Sequence, residues 1–144
     1  MTDQQEVIDS PRGWVASHIR DYVETDGKKG HMWKGAPTLL LTTKGRKTGK
    51  LRRTALIYGR HGDGYVVVAS IGGAHKHPLW YLNLQSDPVV EIQVGWEKMT
   101  GRARTASPEE KPELWAQMVE VWPDYENYQK KTDRQIPVVI IDPE

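Results

Sequence analysis

The chain has 144 residues with no Cys, no Phe, six Trp and six Tyr. That length suits one domain burying roughly 68–70% of its unfolded surface, and the missing Cys excludes a disulfide framework, a thiolate metal site and a cysteine nucleophile. The formal net charge of +1 conceals a separation of charge. Between Asp26 and Asp63 there is no carboxylate, yet that window holds ten of the 20 Lys and Arg residues: Lys28, Lys29, Lys34, Lys44, Arg46, Lys47, Lys50, Arg52, Arg53 and Arg60. An anionic ligand is expected there. Met1–Glu6 is polar and acidic, unlike a secretory signal or a transit peptide, and no apolar run approaches the roughly 20 residues that span a bilayer. A cytoplasmic protein is expected, at most peripheral to the inner face of the membrane.

Residues 12–25 read as a helix, preceded by Pro11, with Val15, Ile19, Tyr22 and Val23 on one stripe and an end near Gly27. Residues 38–43 (TLLLTT) read as a buried strand, the basic loop follows, and residues 54–59 form its antiparallel partner. His61–Gly64 is a turn. Residues 65–70 make a third, β-branched strand that delivers the chain into Ile71-Gly72-Gly73-Ala74, whose glycine pair permits close backbone approach. Pro78 suits the first turn of a short helix carrying Trp80, Tyr81 and Leu84, and residues 89–94 and 98–105 form a hairpin around Gly95-Trp96. Ser107-Pro108-Glu109-Glu110 is a capping box before an amphipathic helix through Leu114, Met118 and Val121, and residues 138–141 close the chain as a strand. These elements predict an α+β fold around an antiparallel sheet or small barrel.

The basic loop is not a P-loop. Gly45-Arg46-Lys47-Thr48-Gly49-Lys50 places three residues between its glycines instead of four, and Leu51 stands where a magnesium-binding Ser or Thr belongs. A solvated basic hairpin is the plain alternative. Against it, the bases are interleaved with Gly45, Thr48 and Gly49, whose N–H groups and hydroxyl can close around a phosphate while Arg46, Lys47 and Arg52 supply charge. Further on, Ser70 ends a strand, where its hydroxyl and the following amides can face a flat polar ring, and Lys76 adds charge beside a helix start. His75 and His77 are spaced as a metal pair, but no third ligand accompanies them locally, so no metal site is assigned.

Three stretches together resemble the deazaflavin-dependent nitroreductases, which use reduced coenzyme F420: residues 39–49 (LLLTTKGRKTG) with Arg52; residues 69–74 (ASIGGA) with 78–84 (PLWYLNL); and residues 123–128 (PDYENY) with 132–137 (TDRQIP). The likeness runs in order over about residues 12–142. It implies a split β-barrel of the flavin-binding pyridoxamine phosphate oxidase type, with flanking helices. Residues 1–144 are expected to form one such domain, with 1–11 a candidate disordered stretch.

The resemblance also gives the basic window a ligand, because F420 carries a phosphodiester and a tail of glutamates. It implies that Arg46, Lys47, Thr48, Gly49 and Arg52 clamp the phosphate and tail, that Ser70, Ile71, Gly72, Gly73 and Ala74 line the deazaflavin, and that Lys76 and Trp80 support it. The implied reaction is hydride transfer from the reduced ring to a quinone, an activated enone or a nitro compound, the protein holding ring and acceptor together and excluding water. Tyr125 and Tyr128 are candidates to orient the acceptor or donate a proton, and Ser70 is a second candidate donor. Trp122 is grouped with these catalytic candidates at the acceptor face, but it stands, as does Ile57 nearby, where the nitroimidazole-reducing branch is expected to carry tyrosine, which weighs against nitroimidazole reduction. A quinone acceptor would also suit Trp14 on an amphipathic N-terminal helix touching a membrane surface; a helix packed on the barrel is the alternative. An FMN-binding or non-catalytic F420 carrier of the same fold, and a nucleic-acid-binding module, are the competing functions. The last lacks interleaved aromatics and any known nucleic-acid motif, so no nucleic-acid partner is assigned.

Overall fold

The computed structural model describes residues 7–10 and 13–144. Among them the order is β1 (Val7–Asp9), α1 (Gly13–Glu24), β2 (Met32–Trp33), β3 (Ala36–Lys44), β4 (Leu51–Ile57), β5 (Gly59–His61), β6 (Gly64–Val68), a 3-10 turn (Ile71–Gly73), α2 (Leu79–Ser86), β7 (Val89–Val94), β8 (Glu97–Thr105), α3 (Lys111–Val121), α4 (Asp124–Lys130) and β9 (Val138–Pro143). The strands lie side by side as β1-β4-β3-β7-β8-β9-β6-β5, with β2 pairing β3. The β3–β4 hairpin has the expected antiparallel sense, with Leu40 opposite Ala55.

The sheet curls on itself because its central strands are apolar on both faces. Leu39 and Leu41 of β3, Tyr65 and Val67 of β6, Val90 and Ile92 of β7, Ala103 of β8, and Val139 and Ile141 of β9 point into one shared interior. The alternate residues Val66, Val68, Val138 and Ile140 face outward and are covered by Leu114 and Met118 of α3 and Tyr125 of α4. Leu40 is covered by Val15, Ile19 and Tyr22 of α1. Period-2 alternation thus sorts each continuous run onto two cores, and each fully buried Leu or Ile contributes roughly 1.5–3 kcal/mol. β4 and β6 approach each other without sharing a ladder. The barrel is split along that seam.

Several boundaries differ from the sequence reading. β4 starts at Leu51, because Arg52 and Arg53 pair with Thr43 and Thr42, and it ends at Ile57, so that Gly59 begins a separate strand. β6 ends at Val68, and Ser70 lies in the turn that follows. Val23 is 36% exposed and leaves the α1 stripe to Val15, Ile19 and Tyr22; Pro11 lies outside the described residues. Within the stretch 1–11, Val7–Asp9 pairs in parallel with Leu51–Arg53. The capping box forms, with Ser107 N–H donating to Glu110 Oε1 at 2.9 Å and Glu110 N–H to Ser107 Oγ at 3.2 Å, on the turn just before α3.

Tyr22 ties α1 to the sheet. Its hydroxyl donates to the Thr38 carbonyl at 2.9 Å and accepts from Gly95 N–H at 2.6 Å, and burial pushes its pKa up to about 12. Among the described residues no helix is long and apolar enough to cross a membrane.

Candidate functional site

Along the open seam lies a cavity of about 850 Å³, within the range of small-molecule and cofactor sites. Its walls come from four places. The β3–β4 loop and β4 give Arg46, Lys47, Thr48, Arg52 and Arg53; the segment after β6 gives Ser70 and Ile71; the start of α2 gives Pro78, Leu79, Trp80 and Asn83; and the α3–α4 region gives Trp122, Tyr125 and Tyr128. Trp33 of β2 and Ile57 of β4 also line it.

The ten bases of the acid-free window do not form one patch. Lys29 pairs with Asp21 at 3.8 Å, Lys34 lies over the Trp33 ring at 5.0 Å, and Arg60 lies over the Tyr65 ring at 4.3 Å. Arg53 lines the cavity, but Asp9 of β1 grips it with two bonds of 2.6 and 3.2 Å. Arg46, Lys47 and Arg52 have no carboxylate within ion-pair distance among the described residues. Three unneutralised cations on one cavity wall suit a polyanionic ligand, since charge-assisted bonds to phosphate are short and strong.

The loop's own hydrogen bonds narrow which groups are free for a ligand. Gly45 N–H donates to the Lys50 carbonyl at 2.7 Å, Gly49 N–H to the Gly45 carbonyl at 2.8 Å, and Lys50 N–H to Thr48 Oγ1 at 3.2 Å. Arg46 N–H donates to Asn83 Oδ1 at 3.2 Å, and Asn83 Nδ2 donates to Thr43 Oγ1 at 3.2 Å. The glycine amides expected to close around a phosphate therefore close the loop itself, while Arg46, Lys47, Thr48 and Arg52 line the cavity. Asn83, only 6% exposed, ties the loop to α2. A polar residue on the buried side of a short helix was the signal for it.

The segment after β6 is strained. Ile71 has φ of +44°, a left-handed conformation that is a true outlier for a β-branched residue. Ser70 is 8% exposed. Gly73 packs so closely on α4 that an added Cβ would lie 2.5 Å from the Tyr128 carbonyl oxygen. Gly49, Gly73, Ala74 and Lys76 are not among the cavity walls; Ala74 and Lys76 are exposed. Gly72 belongs to the same 3-10 turn. Arg134, which the sequence reading did not assign, donates to the Ala69, Ser70 and Ala74 carbonyls. His77 turns its Nδ1 to Arg134 at 3.1 Å, and burial, reinforced by that guanidinium, lowers its pKa.

At the α3–α4 wall the aromatic side chains contact one another. Tyr125 meets Tyr128 edge-on at 6.0 Å, and Trp122 lies 5.1 Å from Trp33. Trp122 Nε1–H donates to the Tyr128 hydroxyl at 3.2 Å, which leaves the Tyr128 proton free to point elsewhere. Tyr125 is 5% exposed, and its pKa is driven upward by burial and then by Tyr128. It remains a neutral phenol across the working pH range. The hydroxyl has no hydrogen-bond partner among the described residues. The side chain of Trp14 lies outside the described residues.

A cavity with an unneutralised cationic wall, an aromatic wall and a backbone turn along one side fits a long, flat ligand with an anionic arm. The F420H(2)-dependent quinone reductase family matches residues 14–143 of the chain. An F420H(2)-dependent quinone reductase of Mycobacterium tuberculosis is 43% identical over 128 residues, covering 86% of this chain and 86% of that protein. A solved structure of an F420-H2 dependent reductase is 42% identical, with a TM-score of 0.68, covering 74% of this chain and 94% of that one. The heme storage protein HutZ of Vibrio cholerae, 18% identical over 74% of this chain and 81% of its own, shares the fold with a TM-score of 0.56. The chain belongs to the F420H(2)-dependent quinone reductase family.

Proposed function

We propose that the seam cavity is where this reductase binds coenzyme F420 and its acceptor, with Arg46, Lys47, Thr48 and Arg52 holding the phosphate and glutamate arm. When bound, the reduced cofactor supplies a hydride. The single observation that carries the assignment is that Arg46, Lys47 and Arg52 stand on the cavity wall without carboxylate partners among the described residues, while Arg53 beside them is neutralised by Asp9. Ser70, Ile71 and Trp80 form the wall for the ring, with Trp80 also packed against the barrel core. Gly49, Gly73 and Ala74 act through the shape of their turns, since they are not among the walls.

Tyr125 and Tyr128 are the donors to the acceptor. The quinone oxygens gain negative charge as hydride arrives, and a neutral phenol in a water-poor pocket stabilises that charge and then gives up a proton. Trp33 and Trp122 offer flat apolar surface to a quinone ring. With Ile57 and Trp122 in the wall instead of further phenols, quinones and activated enones are better acceptors than nitroimidazoles. The rim is apolar too: Leu79 and Ile71 line the cavity and are 69% and 40% exposed, which suits an acceptor delivered from a membrane surface.

The test is equilibrium binding of F420 and FMN side by side, read by tryptophan quenching at two salt concentrations. Tight, salt-sensitive binding of F420 in preference to FMN is the expected result. Preference for FMN, or no binding of either, overturns the assignment.

A further inference from the structure

Arg134 spends its whole guanidinium on the backbone of the segment that forms one cavity wall. Nε donates to the Ala74 carbonyl at 2.7 Å, Nη1 to the Ala69 carbonyl at 3.1 Å, and Nη2 to the Ser70 carbonyl at 2.7 Å. Nη1 also meets His77 Nδ1 at 3.1 Å. The cation has no carboxylate within ion-pair distance among the described residues. A guanidinium matched by three carbonyl oxygens and one imidazole nitrogen is an unusual use of a charge, because it gives up hydration without an opposite charge in return.

What it holds explains the arrangement. The carbonyls it grips flank Ile71, whose φ of +44° is strained for a β-branched residue and persists only where the surroundings over-determine it. Arg134 is itself fixed: its N–H donates to Thr132 Oγ1 at 3.2 Å, and its carbonyl accepts from Gln129 Nε2 at 2.8 Å. The α4–β9 connection thus acts as a rigid bracket for a strained turn.

The same contacts have an electronic consequence. The Ala69 carbonyl and the Ser70 N–H belong to one peptide unit, as do the Ser70 carbonyl and the Ile71 N–H. A cation on the carbonyl oxygen draws electron density through the amide and makes its N–H a stronger donor. Neither N–H donates to another described residue, and the αR conformation of Ser70 followed by left-handed Ile71 is the arrangement that gathers consecutive N–H groups into an anion-facing concavity.

We propose that Arg134 is a positioning residue that locks the Ser70–Ile71 turn and sharpens its two N–H groups as donors to an electron-rich carbonyl edge of the ligand ring. This deepens the cavity assignment above and rests on it for the identity of the ring. Arg134 touches neither ligand nor acceptor.

The experiment combines a ligand-free and a ligand-bound readout on Arg134→Ala, Arg134→Lys and, as a contrast, Arg52→Ala. In ligand-free protein, Arg134→Ala should speed hydrogen exchange across residues 70–74 by at least tenfold and leave β7–β8 unchanged. With ligands, it should weaken F420 and the bare deazaflavin chromophore by the same factor, tenfold or more, and shift the visible absorption of the bound chromophore. Arg52→Ala should weaken F420 alone. Arg134→Lys keeps the charge but cannot span three carbonyls, so it should behave like Arg134→Ala. Guanidinium at millimolar concentration should restore chromophore affinity to the alanine variant, with sodium chloride as control. Unchanged exchange at residues 70–74, or wild-type chromophore affinity in either Arg134 variant, overturns the proposal. Should Arg134→Ala fail to fold, the lysine variant decides by the same readouts. If the wild-type protein binds neither ligand, the cavity assignment falls while the exchange measurement still decides whether Arg134 locks the turn.

Discussion

Asn83 of α2 accepts a hydrogen bond from the backbone N–H of Arg46 at 3.2 Å, so the helix that bounds the cavity also sets the register of the cationic loop. The same amide donates to Thr43 Oγ1 at 3.2 Å. Replacing Asn83 with Leu keeps the volume but leaves the buried Thr43 hydroxyl without this partner, at a cost of about 1–3 kcal/mol. Thermal unfolding should report that loss, and F420 affinity should fall because the loop is no longer held in place. Binding of the bare chromophore should change less.

The cationic wall predicts a separable effect on the anionic arm. Charge-assisted hydrogen bonds contribute about 1.5–3 kcal/mol each, so Lys47→Ala or Arg52→Ala should each weaken F420 by roughly tenfold or more. The chromophore without its phosphate should bind as before. Titrations of the two ligands against each variant check this, and equal losses for both would remove these residues from the clamp.

Tyr125 is neutral at all working pH values because burial and then Tyr128 raise its pKa. Tyr125→Phe should lower kcat with a quinone about ten- to hundredfold and leave F420 affinity nearly unchanged. The wild-type rate should show no ionisation of this phenol between pH 6 and roughly pH 10. Steady-state kinetics across that range, on both proteins, make the comparison.

Gly73 and Gly62 both have positive φ, +83° and +58°, but only Gly73 has backbone in the way of a side chain. Gly62→Ala should cost about 1 kcal/mol from the left-handed conformation alone. Gly73→Ala adds a clash with Tyr128 backbone and should cost roughly 2–4 kcal/mol, with a shift of α4 that lowers activity. Denaturant midpoints for the pair separate strain from collision.

Glu110 has its pKa lowered to about 2, chiefly by its hydrogen bonds from Arg104 and next by Ser107 N–H. A carboxylate with a depressed native pKa contributes stability that is complete above its unfolded value near 4.5 and is lost as pH falls toward about 2. Glu110→Gln should therefore flatten the acid limb of the stability curve between those limits. Melting temperatures of wild type and variant, taken from pH 7 downward, should converge at low pH.

Local signals fixed much of the architecture. Continuous β-branched runs marked β6 and β9, the Gly95-Trp96 pair marked the β7–β8 hairpin, and Ser107 with Glu110 marked the approach to α3, because each depends on neighbours a few residues away. The basic loop and the Tyr125–Tyr128 pair also stood out in the sequence by residue type, and the structure brings both to the cavity. α4 was not assigned as an element, and β1, β2 and β5 were not seen at all: two or three residues have no period to detect, and these strands form where a neighbouring strand offers a partner.

What only the tertiary structure decided is which charges are free and what holds the walls. Asp9 lies 44 residues from Arg53 and neutralises it, whereas Arg46, Lys47 and Arg52 have no carboxylate partner among the described residues. Arg134 lies 60 to 65 residues from the carbonyls it grips. Trp33 of β2 meets Trp122, which follows α3, at 5.1 Å across the cavity wall. Composition and spacing therefore pointed to an anionic ligand at the basic loop and to an α+β fold around an antiparallel sheet or small barrel. Neutralisation and positioning were decided by contacts between distant segments, because a charge or a strained turn acquires its meaning from whatever the folded chain places against it.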